Sequence, residues 1–68
     1  MDQKSILVNF INNPSASSLS DLADDLEGWT PATKLQKIAS RALFLEDERL
    51  QGLLKEAVKE AKELLKNI

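Results

Sequence analysis

From Leu50 to Ile68 the apolar residues recur at alternating spacings of four and three: Leu50, Leu54, Ala57, Ala61, Leu64 and Ile68. That is the a/d seam of a heptad, and Leu53, Val58 and Leu65 widen it into a broad stripe. The pattern predicts an amphipathic helix from about Glu48 to Ile68, roughly 30 Å long at 1.5 Å per residue. Such a stripe must be covered, either by the rest of the chain or by another molecule. Gly52 is the weak point of this helix, costing up to about 1 kcal/mol if it is helical.

What is available to cover it is limited. The chain has 68 residues, room for a single helical domain spanning 1–68, and at that size folding buries only about 60% of the unfolded surface. Cys and His are both absent, which removes disulfides and the ordinary metal staples of small scaffolds. Hydrophobic residues at 43% and charged residues at 29% place the chain in the globular class. Close helix packing or association with a partner must therefore supply the stability.

Upstream of the stripe lie three shorter apolar segments. Gln3 to Ile11, with Ile6, Leu7, Val8, Phe10 and Ile11, fits a helix capped by Asp2. It also fits a strand, but the chain has no second strand candidate, so a helix is expected. Asn12, Asn13 and Pro14 end it. Ser18 and Asp21 resemble a capping box opening a short helix with Leu19, Leu22, Ala23 and Leu26 inward, and Gly28 supplies its left-handed C-cap. Thr30 followed by Pro31 is a start signal for a third helix to about Leu45, with Leu35, Ile38, Ala39 and Ala42 on one face. Leu43, Phe44 and Leu45 then read as a buried corner, and Asp47 as the cap of the last helix. The expected fold class is all-α: a small three- to four-helix orthogonal bundle with a long C-terminal amphipathic helix.

The formal net charge is −2, but the charge is segregated: −4 over residues 1–30, +3 over 31–45 and −3 over Glu46 to Glu48. Along the last helix, Glu56 with Lys59, Lys59 with Glu63 and Glu63 with Lys66 are candidate intrahelical pairs. The Leu19 to Leu43 region has the spacing of a helix-turn-helix, with a turn one residue longer than usual, in which Thr33, Lys34, Gln36, Lys37 and Arg41 would meet a duplex. The acids Asp21, Asp24, Asp25 and Glu27 on the preceding helix oppose the phosphate attraction on which such binding depends, so nucleic acid is disfavoured as a partner.

Other classes have less support. Asp21, Asp24 and Asp25 lack the irregular, Gly-containing backbone of a calcium loop, and no cofactor or metal is expected. Without His or Cys, and without a Gly-rich phosphate loop, an enzyme with a small-molecule substrate is not expected either. No apolar run reaches the roughly 18 residues of a membrane span, and Ser5 to Ile11 lacks the features of a secretory signal, so a cytoplasmic location is expected. The remaining expectation is a non-enzymatic interaction or regulatory module that binds a protein partner or a second copy of itself. The candidate interface residues are Leu54, Ala61, Leu64, Leu65 and Ile68 on the last helix, with Trp29 and Phe44 as aromatic anchors where exposed. The alternative is a DNA-binding regulator using Thr33, Lys34, Lys37 and Arg41.

Overall fold

The computed structural model describes residues 2–68. Its elements are α1 (Gln3–Asn12), α2 (Ala16–Asp25), a 3₁₀ turn (Thr30–Ala32), α3 (Thr33–Ala42) and α4 (Asp47–Lys66). The described residues contain no strand, so the expected all-α bundle with a long C-terminal helix is the architecture observed.

Each helix start is set by local chemistry. The Asp2 side chain accepts a 2.8 Å hydrogen bond from the Ser5 amide, capping α1. That bond favours the charged carboxylate and holds the Asp2 pKa below its ordinary value. α2 begins three residues earlier than expected. Its box is formed by Ser15 and Ser18, not by Ser18 and Asp21: the Ser18 amide donates to Ser15 Oγ (3.0 Å) and the Ser15 amide to Ser18 Oγ (2.9 Å). A hydroxyl at the third position can satisfy the cap amide as a carboxylate would, which is why the same spacing misleads by one turn. Gly28 ends the turn after α2 at φ +83°, the left-handed geometry that glycine adopts without penalty.

The third helix enters through the 3₁₀ turn. Pro31 sits in that turn, whose N-cap is Trp29, and the Thr30 side chain does not cap it. Instead Thr33 Oγ1 donates to the Thr30 carbonyl at 2.7 Å. α3 also stops short, at Ala42, where tighter bonds from Phe44 to Arg41 and from Leu45 to Ala42 take over. α4 starts at Asp47, with Glu46 at the N-cap position making no side-chain cap bond. The expected Asp47 cap is therefore replaced: Asp47 lies inside the helix with φ +56°, a conformation Asp tolerates better than most residues. Of the side-chain pairs expected along α4, none closes to ion-pair distance; the ion pair among the described residues is Lys34 to Glu60, at 3.6 Å.

One contiguous core holds the helices together. α1 gives Ile6, Leu7 and Phe10; α2 and its end give Leu19, Leu22 and Leu26; the 3₁₀ turn and α3 give Ala32, Leu35, Ile38 and Ala39; α4 gives Leu53, Leu54, Ala57, Ala61 and Leu64. α4 packs chiefly against α1 and α3, with α2 touching it less. Two helices of ten residues therefore share the long stripe, which resolves the mismatch in helix lengths without a second molecule. The radius of gyration is 10.7 Å, close to the roughly 11 Å of a compact chain of this length.

Gly52 lies inside α4, exposed, and a Cβ built there would meet nothing within 4 Å. Gly52→Ala is thus expected to stabilise the fold by about 0.5–1 kcal/mol through the lower backbone entropy of the unfolded chain. A thermal melt should show the midpoint rising by several degrees; a midpoint that falls would mean the first turns of α4 are not helical in solution.

Candidate functional site

The interface residues expected on the last helix do not form a surface. Leu54, Ala61 and Leu64 are all buried within the monomer. Pairing through them would require the bundle to open, so this part of the expected interface is corrected: α1 and α3 already occupy the seam. Leu65 is half-buried against the core, and only Ile68, 54% exposed at the end of the chain described, faces outward. Trp29 is also half-buried and packs against the core at the turn between α2 and α3, as a plug more than an anchor.

Phe44 is different. It is 85% exposed, and its neighbour Leu43 is 75% exposed. The expected buried corner is thus only one residue deep: Leu45 turns inward against the core while Leu43 and Phe44 turn out. The reason lies in the helix register. Leu35, Ile38, Ala39 and Ala42 complete the inward face of α3, and the next two positions rotate away from it before the chain bends back into α4. Every other Leu and Phe is buried or half-buried.

Leu43 closes one end of a groove between α2 and α3. Ser20, Ala23, Asp24 and Glu27 line one wall; Gln36, Ala39, Ser40 and Leu43 line the other. At the opposite end the Gln36 side-chain amide donates a 2.8 Å hydrogen bond to the Leu26 carbonyl, tying α3 to the C-terminus of α2. Lys37 and Arg41 are exposed on other rows of α3, and Arg41, seven residues from Lys34, stands on the side from which Lys34 reaches Glu60 of α4. Leu43 and the groove acids as part of a surface were missed in the sequence; the available signal was two large apolar residues beyond the last inward position of α3.

The residues expected to meet a duplex are largely engaged within the protein. Thr33 bonds the Thr30 carbonyl, Lys34 reaches Glu60 and Gln36 holds Leu26, while Lys37 and Arg41 are exposed but outside the lining of the groove. Seven residues, 26–32, separate α2 from α3, against the three or four of a tight helix-turn-helix. The acids of α2 also diverge: Asp24 lines the groove toward α3, and Asp21 and Asp25 line one toward α1. Among the described residues no group of three acids is placed to hold a metal ion, and no helix is long and apolar enough to cross a membrane.

Comparison of the chain with protein-family models, with curated proteins and with solved structures finds no match in any of the three.

Proposed function

We propose that this protein is a small, non-enzymatic interaction module that acts in the cytoplasm as an adaptor or regulator, docking another polypeptide on the corner formed by Leu43 and Phe44. The observation that supports this reading is the exposure of two adjacent large apolar side chains in a chain whose other Leu and Phe residues are turned inward. An aromatic residue held on a short, well-anchored turn loses little conformational freedom on binding, which suits it to dominate an interface. The distal end of α4, with Ile68, is a secondary apolar spot on the same reading.

The test places a photo-reactive benzoyl-phenylalanine at position 44 and irradiates the protein in its native cell. Covalent adducts to a polypeptide are expected from position 44, and far fewer from the same group at the exposed, polar position Lys62. Absence of any polypeptide adduct at position 44 would overturn the proposal.

A further inference from the structure

The Leu43–Phe44 corner projects from the bundle, and a different part of the surface is recessed. Between the turn after α1 and the first half of α4 lies a groove lined by Pro14, Gln51, Leu54, Lys55 and Val58. Its volume, about 370 Å³, is near the lower end of the roughly 300–1,000 Å³ of ligand sites, which suits one large side chain better than a length of polypeptide. Leu54 is only 5% exposed and Val58 half-buried, so an occupant must project into the groove. A bilayer, which takes up apolar side chains projecting from the protein, is the wrong shape. Lys55 stands in the groove wall and Lys59 one turn further along α4, both exposed and without an ion-pair partner among the described residues. Glu60 is turned to Lys34, and Glu56 and Glu63 lie on the flank of the lysine row away from Val58.

The complement of this groove is present on the chain itself. Phe44, 85% exposed, is followed by Glu46, Asp47 and Glu48, which are exposed and have no ion-pair partner among the described residues, with Arg49 as the base beside them. Within one molecule the two features cannot meet: Glu48 and Lys55 belong to one helix, α4, and stand about 10 Å apart along its axis at 1.5 Å per residue. We infer that the occupant of the groove is the Phe44 corner of a second copy of the chain, its ring against Leu54 and Val58 and its acids against Lys55 and Lys59. This rests on the reading of Phe44 as a docking residue and names its partner. The net charge of −2 sets little general repulsion between copies. Because the contact joins two different patches it is heterologous, and copies add head to tail unless the rotation between them closes a ring.

Sedimentation equilibrium from micromolar to millimolar protein tests this, using the wild type, Phe44→Asp and Lys55→Glu/Lys59→Glu. All three positions are exposed, so circular dichroism should show each variant folded. The mean mass of the wild type is expected to climb with concentration, and less steeply as salt rises, because exposed charges are screened over roughly 10 Å at about 0.1 M. Phe44→Asp, which removes the anchor, and Lys55→Glu/Lys59→Glu, which sets acid against acid, should each self-associate at least about tenfold more weakly. An equimolar mixture of the two variants should recover association and stop at a heterodimer, since one intact corner and one intact groove remain. A wild type that stays monomeric throughout, variants that associate as the wild type does, or a mixture that gains nothing over its parts would overturn the inference. The adducts at position 44 separate this from the function proposed above. A product of twice the chain mass, linked at Pro14 or between Gln51 and Lys59, supports both; any other polypeptide product supports docking but overturns the self-association; no product sinks both.

Discussion

Ala61→Asp is expected to abolish the fold, with loss of helical circular dichroism and of any cooperative thermal transition. Ala61 is fully buried, at 0% exposure, on the face of α4 that packs against the other helices, and among the described residues no buried polar or charged group is present in the core to receive a carboxylate. An uncompensated buried charge costs about 3–5 kcal/mol. A chain of this length holds only about 3–10 kcal/mol of stability in total, at roughly 0.05–0.15 kcal/mol per residue. Ile68→Asp provides the contrast: on the same stripe but 54% exposed, it should change stability by less than about 0.5 kcal/mol. If Ala61→Asp instead remained helical and changed only its association state, the seam of α4 would be an interface, and its burial under α1 and α3 would not describe the protein in solution.

The second large effect concerns the two phenylalanines, which are the same residue put to opposite uses. Phe10 is 2% exposed and among the largest fully buried side chains; Phe44 is 85% exposed. Truncating Phe10 to Ala removes most of an aromatic ring from the core and leaves a cavity that a small bundle cannot fully collapse, at a cost of about 3–5 kcal/mol. Urea denaturation of Phe10→Ala should therefore give either an unfolded baseline or a midpoint close to zero denaturant. Phe44→Ala should leave the midpoint within error, because the ring it removes is already in water. Comparable losses in the two variants would mean that the Leu43–Phe44 corner is folded inward.

Much of the architecture was legible from residue patterns because it depends on short-range rules. Asp2 capping α1, the left-handed Gly28, the helical character of Gln3 to Asn12 and the stripe of α4 all follow from spacing and side-chain chemistry within a few residues. The misreadings have a common cause. Ser15, Ser18 and Asp21 are spaced by three, so two successive capping boxes fit the sequence equally well, and only the path of the chain after Pro14 selects the first. Leu43, Phe44 and Leu45 are alike in hydropathy, and which of them turns inward depends on where α3 stops and α4 begins. The bond from Gln36 to the Leu26 carbonyl joins residues ten apart through a turn whose geometry no local rule supplies. For the candidate site, Phe44 could be named from its type, but that it and Leu43 turn outward while Leu45 turns in is a tertiary fact.

The packing of α1 against α4 has a consequence for the chain as it is made. Synthesis proceeds at about 5–20 residues per second, and Ile6, Leu7 and Phe10 emerge before α4, yet much of the surface that covers them lies between Leu53 and Leu64. α2 can shield them in part, and the turn that links α2 to α3 can form early because its backbone bonds are local. The core closes only when α4 has cleared the ribosome, so for the few seconds in between the nascent segment carries uncovered apolar side chains, and chaperones that bind such segments have their opportunity then.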